Sequence, residues 1–280
     1  MSIGLGAMMS GMASTRRDRA RSVPDVRALP RYTAGELDVP WSIGTFGERL
    51  ARAAYWPEHS HPTHELIRNE RGVSTVSVGR RTWTITPALG LWMPAGVAHS
   101  GSAPAGTWYR TTHFEIGLVD DAPAAPVAVD IGPLLRLLLE RLDDDTLSST
   151  SRATTEAMVL DVLEPATNEL LVHAPMSTLL APIVEAVMAE PGDRRTLEEW
   201  ADAVDVSSRT LTRAFRAETG QGFAQWQSAV RAQRAAHLLA AGVPVAEVVD
   251  EVGYATPSAF GAAFRRATGL TPREFRTRHV

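Results

Sequence analysis

A stretch of seven residues near the C-terminus of this chain occurs twice. Ala214-Phe215-Arg216-Ala217-Glu218-Thr219-Gly220 returns as Ala263-Phe264-Arg265-Arg266-Ala267-Thr268-Gly269, 49 positions later, and Leu211 maps onto Phe260 at the same offset. Self-similarity at a fixed spacing implies one structural unit used twice. Any fold proposed for residues 177–280 has to accommodate that duplication.

Local signals define the unit. Thr196 and Glu199 have the spacing of a capping box, and Leu197, Trp200, Ala201 and Val204 give the following helix an apolar face. A turn is expected at Asp205-Val206-Ser207. A second helix then turns Leu211 and Phe215 inward and Arg209, Thr212, Arg213 and Arg216 outward. In the second copy Pro244 suits a first helical position, Gly253 a left-handed turn, and Thr256-Pro257 a cap followed by a first helical residue. A short helix, a tight turn and a second helix make a helix-turn-helix. Between the copies, Phe223–Ala241 has helical spacing. A rod of about 18 residues would be roughly 27 Å long, a scale that suits successive major-groove segments about 34 Å apart.

Charge agrees with a nucleic-acid partner. Arg and Asp plus Glu balance at 12 each over residues 182–280, but the signs are segregated. The first helix of the first copy carries Glu198, Glu199 and Asp202, and the second carries Arg209, Arg213 and Arg216. Phosphates demand local cations, not a cationic domain.

The C-terminal residues resemble the DNA-binding domain of the AraC family of regulators. The likeness covers about residues 183–276. It is most specific from Val245 to Phe275, with Gly253-Tyr254 at the family's turn and Gly269 to Pro272 at its Gly-x-x-Pro ending. The resemblance implies double-stranded promoter DNA as partner, with base contacts from Ser207, Arg209, Thr212 and Arg213. It places Pro257, Ser258, Gly261 and Ala262 at the matching positions of the second helix. The family often has a basic residue where Ala262 stands, so the second unit is expected to contribute mainly backbone contacts and shape. Arg216, Thr256, Arg265 and Arg266 complete the expected DNA-contacting set.

The N-terminal half reads differently. Residues 31–126 carry β-branched and aromatic runs, such as Val73–Val78 and Thr82–Thr86, punctuated by Gly72, Gly79, Pro87 and Gly90. His59-x-His61-x-x-x-Glu65, then Gly72, and later Pro94-x-Gly96-x-x-His99 resemble the cupin pattern. Ala53, Ala88 and Ala103 stand where that pattern has Gly, Gly and Asn. His59 and His61 alternate onto one strand face, Glu65 shares that face on an unbroken strand, and His99 arrives from the adjoining strand. Three imidazoles and a carboxylate suit a divalent transition metal. The same four residues could instead line an effector pocket as a hydrogen-bonded cluster. His64 and His113 are left as spare polar groups, and Trp83, Trp92 and Trp108 as packing.

Residues 127–176 are expected to form a helical linker or dimerisation region. Ile131, Leu134, Leu135, Leu138, Leu139 and Leu142 form one stripe, and Met158, Val159, Val162, Leu163, Leu170 and Leu171 a second. Residues 1–30 are expected to be a mobile tail. Its arginines, Arg16, Arg17, Arg19 and Arg21, follow the weakly apolar Met1–Met12 instead of preceding it, the reverse of a secretory leader. No run reaches the length of a membrane span, and no cysteine is present for a disulfide or a thiolate site. A cytoplasmic location is expected.

The expected fold is therefore α+β: a cupin-like N-terminal β-barrel, interdomain helices, and an all-α C-terminal domain with two helix-turn-helix units. The expected function is sequence-specific transcription regulation in response to a small molecule or metal held in the barrel. A homodimer and RNA polymerase are the further expected partners, with no membrane. Two alternatives stay open: a cupin metalloenzyme with an appended DNA-binding domain, and a constitutive DNA-binding protein whose barrel only dimerises. No acid or base for an enzymatic step stands out beyond the candidate ligands, and a DNA-binding domain has little use on a metabolic enzyme, which favours a regulator.

Overall fold

A computed structural model describes residues 23–119 and 122–279. The arginines at 16–21 lie outside these residues. The first half is built from β1 (Asp25–Val26), β2 (Ile43–Arg49), β3 (Ala54–His59), β4 (His64–Arg71), β5 (Ser74–Val78), β6 (Arg81–Ile85), β7 (Leu89–Met93), β8 (His99–Ala103), β9 (Trp108–Phe114) and β10 (Val127–Asp130). Helices α1 (Pro133–Arg141) and α2 (Ser149–Asp161) follow, and then strand β11 (Leu171–His173). Two sheets face each other, one in the order β1-β3-β8-β5-β6-β11 and the other β10-β7-β4-β9-β2. Alternation along the strands sends Ile67, Val76, Leu91 and Met93 into one apolar cluster between them, together with Trp83 and Ile85.

The sensor unit is longer at both ends than its strand pattern suggested. Residues 23–30 are no tail. β1 pairs in parallel with β3, Asp25 donates to Ala53 and Arg27 to Tyr55, and the Arg27 side chain pairs with Glu48. Two residues of strand are too short to show as a pattern. The region 127–176 is not uniformly helical either. β10 pairs with β7 and β11 with β6, so strands belonging to the two sheets bracket α1 and α2. Leu163 and Leu170 therefore lie beyond the helix, and Leu171 opens β11. A short apolar run reads equally well as helix or strand until its neighbours are known.

Helix α1 starts at Pro133, whose missing N–H costs nothing at a first turn, and Ser148 caps α2 by accepting from the Ser151 amide at 3.2 Å. Leu135, Leu138 and Leu139 of α1 pack with Leu66, Phe114 and Val159 over the outer face of the β4–β9 sheet. Leu134, expected within that stripe, points outward, as does Leu137.

The C-terminal half is helical: α3 (Ala181–Ala189), α4 (Leu197–Ala203), α5 (Ser208–Thr219), α6 (Phe223–Ala240), α7 (Val245–Glu251), α8 (Pro257–Thr268) and α9 (Pro272–His279). The 49-residue repeat is structural throughout. α8 begins and ends 49 residues after α5, their caps are Ser207 and Thr256, and both end on left-handed glycines, Gly220 and Gly269. The repeat also includes a third helix. Trp226 of α6 packs on Phe215 at 5.3 Å between ring centroids, and Phe275 of α9 packs on Phe264 at 5.2 Å. Helix α6 thus closes the first unit as well as connecting it to the second. The Thr196–Glu199 capping box is present. Pro244 is the cap of α7, one position earlier than expected.

The two halves touch. Val73 and Leu170 of the sensor pack in one cluster with Ala232, Ala235, Ala236 and Leu239 of α6. The Trp226 indole donates to the carbonyl of His173 at 3.0 Å. Among the described residues no helix is long and apolar enough to cross a membrane.

Candidate functional site

Two surfaces carry chemistry: a pocket between the sheets and the outer faces of α5 and α8. The pocket is a cavity of about 200 Å3. One end holds His59 (β3), His61, Glu65 (β4), His99 (β8) and His113 (β9). Beyond them the walls are Ile67, Val76, Gly101 and Thr111, then Trp56, Tyr109 and Ala103. This layering follows from alternation, since His113, Thr111 and Tyr109 are every second residue of β9, and His99, Gly101 and Ala103 of β8.

Glu65 reaches the site from a different strand than expected. The chain turns a corner at Ser60-His61-Pro62-Thr63, so His59 ends β3 and Glu65 belongs to β4 in the opposite sheet. The corner still brings the three histidines together, with Glu65 beside two of them. One ring nitrogen each from His59, His61 and His99 lies within 4.8 Å of the others. Glu65 Oε2 is 3.5 Å from His61 Nε2 and 3.5 Å from His99 Nε2. His113, read as spare, faces the same carboxylate at 3.8 Å. Its place opposite Glu65 is a matter of β4–β9 register, which no local pattern reveals. His64 instead stacks on Trp92, with ring centroids 5.2 Å apart.

The tautomers are set by the backbone. His59 Nδ1 meets the Pro57 carbonyl at 2.7 Å and His99 Nδ1 the Val97 carbonyl at 3.0 Å. A carbonyl can only accept, so both Nδ1 atoms carry the proton and both Nε2 atoms present a lone pair. Burial disfavours every charged form here. His61 is lowered to about 3 by desolvation and by neighbouring histidines, while His99 and His113 are lowered to about 4, mainly by desolvation. Desolvation raises Glu65 to about 8. Glu65 Oε2 is fully buried without a hydrogen-bond partner among the described residues.

Two edges of the donor set suit a metal, while the three histidine nitrogens lie within 4.8 Å of one another. Four ligands at about 2.1 Å around a tetrahedral ion are roughly 3.4 Å apart. The two Nε2–Oε2 separations of 3.5 Å match that edge. A buried carboxylate oxygen without a hydrogen-bond partner beside the His99 Nε2 lone pair is what such an ion would satisfy.

On the helical side, Arg209, Arg213 and Arg216 form an exposed stripe on α5 with no ion pair to any described residue. The Ser207 hydroxyl accepts from the Thr210 amide at 3.1 Å, and Thr212 donates to the Ser208 carbonyl at 2.8 Å. Those two hydroxyls thus serve the helix itself. Thr256 caps α8 in the same way, accepting from the Ala259 amide at 3.2 Å. Ser258, Arg265 and Arg266 are exposed on α8. Sequence comparison agrees with this two-part construction. Residues 45–174 match the family model described as an AraC-like ligand binding domain, and residues 200–278 match one described as a helix-turn-helix domain.

The chain belongs to the AraC family of transcription regulators. Among its relatives is the HTH-type transcriptional regulator NimR of Escherichia coli K12, 27% identical over 223 residues, covering 78% of this chain and 81% of NimR. The HTH-type transcriptional regulator RipA of Corynebacterium glutamicum is 32% identical over 225 residues, covering 77% of this chain but 62% of RipA. Among solved structures, the C-terminal domain of AraT, a response regulator from Geobacillus stearothermophilus, is 29% identical, covering 38% of this chain and 91% of that domain with a TM-score of 0.36. This AraC-family regulator thus joins a DNA-binding domain to a ligand-binding domain in a mixed α+β fold.

Proposed function

We propose that this regulator senses a divalent transition metal held by His59, His61, Glu65 and His99, and that promoter binding depends on whether that site is filled. The observation that carries the reading is Glu65 Oε2. It is buried, lacks a hydrogen-bond partner among the described residues, and lies 3.5 Å from Nε2 of both His61 and His99, the latter presenting its lone pair. Leaving a buried carboxylate oxygen unpaired is costly without a compensating cation. A bound ion would supply the positive charge that Glu65 lacks. The cavity beyond, past Ile67, Val76 and Trp56, leaves room for an organic effector beside it.

The DNA-contacting set in this reading is Arg209, Arg213 and Arg216 on α5, with Ser258, Arg265 and Arg266 on α8. Ser207, Thr212 and Thr256 contribute through the helix geometry they hold. A homodimer is proposed through α1 and α2, where Leu134 and Leu137 remain 51% and 62% exposed. RNA polymerase as a further partner and a cytoplasmic location accord with the regulators it resembles. So does a role in control instead of catalysis.

Metal titration of the chelated full-length chain tests the proposal. One equivalent of Zn2+ or Co2+ should bind, Co2+ with the visible absorption of a nitrogen–oxygen site, and promoter affinity should change on loading. A chain that takes up no stoichiometric metal, or that binds it equally well as Glu65→Gln and His99→Ala, would remove the basis for the reading.

A further inference from the structure

The two reading helices share one buried pattern. Leu211, Phe215 and Thr219 of α5 correspond to Phe260, Phe264 and Thr268 of α8, all buried. Thr219 donates to the Phe215 carbonyl at 2.7 Å, and Thr268 to that of Phe264 at 2.9 Å. The outer faces have diverged. The exposed stripe Arg209–Arg213–Arg216 becomes, 49 residues on, Ser258–Ala262–Arg265, and Thr212 becomes Gly261.

We infer that the two helices divide the operator between them. α5 reads guanine, and α8 reads the methyl groups of thymine in a separate A·T-containing box. The inference rests on the DNA-binding reading and adds to it the kind of sequence each unit prefers. A guanidinium at the end of a long chain reaches guanine O6 and N7 from some distance, and α5 presents Arg209 and Arg213 for this, with Arg216 in its last turn. Ser258 and Ala262 cannot span that distance. They touch bases only if the helix lies against the groove floor, where an alanine methyl suits the C5-methyl of thymine.

Two features of α8 permit that close approach. Among the described residues nothing beyond the helix's own neighbouring backbone lies within 4 Å of where a Cβ on Gly261 would stand, so its bare backbone faces open space beside Ala262. The cations of α8 are confined to its last turn, at Arg265 and Arg266, clear of the small face. From there they can hold the flanking phosphates while the small face meets the bases. A solvent-facing spectator helix would need neither the small face nor a second arginine, Arg266, where α5 has Ala217.

The experiment uses the full-length chain and a random duplex library. Selection should yield a box with guanine beside a box of A·T pairs about one helical turn away. In titrations of the selected duplex at fixed salt, 7-deazaguanine in the first box should weaken binding about tenfold or more. Deoxyuridine for thymidine in the second box should weaken it several-fold. Ala262→Gly should abolish the deoxyuridine effect, and Arg213→Ala should leave it intact. Two guanine boxes of equal weight, or full affinity for the deoxyuridine duplex, would overturn the division of labour while leaving DNA recognition standing. Failure to enrich any box would count against both.

Discussion

Gln233, midway along α6, donates from its side-chain amide to the backbone carbonyl of Thr82 on β6 at 2.8 Å, and to that of Leu170 at 3.1 Å. Residues 151 positions apart are joined, and the bond crosses from the DNA-binding half to the sensor. β6 and β5 form one ladder, and Val76 of β5 lines the cavity. A change in the cavity therefore has a short packed route to α6. If that route matters, Gln233→Ala should reduce the difference in promoter affinity between metal-loaded and chelated protein toward unity, with stability lowered by about 1–2 kcal/mol. An unchanged difference, measured by fluorescence anisotropy on the same duplex, would show that coupling runs elsewhere.

Glu65 and the histidines make opposite contributions to the stability of metal-free protein. Glu65 is raised from 4.5 to about 8, so between those values the folded chain holds a proton that the unfolded chain releases. That contribution is present below pH 4.5 and is lost as pH rises toward 8. His61, His99 and His113 are lowered from 6.5 to between about 3 and 4. Their contribution is present above pH 6.5 and is lost as pH falls toward 4. Chelated protein should therefore be most stable near pH 6.5 and lose about 2 kcal/mol by pH 8 through Glu65 alone. Urea titrations of wild type and Glu65→Gln should show the alkaline loss only in the former. A loss of equal size in Glu65→Gln would assign it to another group.

The sequence patterns that proved legible were those set locally or by repetition. Caps at Thr196 and Thr256 and the left-handed Gly253 follow from a few neighbouring residues. The helix-turn-helix pair was visible because Phe215 and Phe264 stand at the repeat spacing. The third helix of each unit carries the same signal, Trp226 against Phe275, but an exchanged residue type hides it from a search for identical strings. What stayed hidden depends on register between distant strands. His113 looks like any polar residue on β9 until β9 is laid beside β4 with Glu65 opposite it. Leu170 and Leu171 continue a helical stripe on paper, yet Leu171 pairs with Trp83 in a sheet. Two residues of β1 gain their stability from β3, not from their own propensity.

Arg213 and Arg216 should separate base reading from phosphate holding. Both are exposed on α5, Arg213 at its centre and Arg216 in its last turn. Arg213→Ala is expected to cost about 1–3 kcal/mol of operator affinity and to relax sequence preference. Arg216→Ala is expected to weaken binding to all duplexes alike and to reduce the salt slope by about one. Gel-shift titrations at several salt concentrations measure both. Equal loss of preference in the two variants would place both side chains at base edges.

Gly253 and Gly261 differ in what surrounds them, and alanine should tell them apart. Gly253 ends α7 with a φ of 74°, in the left-handed region, and a Cβ there would lie 2.4 Å from the carbonyl oxygen of Gly192. Backbone cannot swing aside as a side chain can, so Gly253→Ala combines conformational strain with a clash against the loop before α4. It should lower unfolding free energy by about 2 kcal/mol or more. Gly261 lies within α8, where among the described residues a Cβ meets nothing within 4 Å beyond the helix's own neighbouring backbone. Alanine favours helix over glycine by about 1 kcal/mol, so Gly261→Ala should fold at least as stably as wild type. Urea denaturation of the two variants tests the contrast. If they showed equal stability, the Gly253–Gly192 contact could not be what holds the second turn against the rest of the domain.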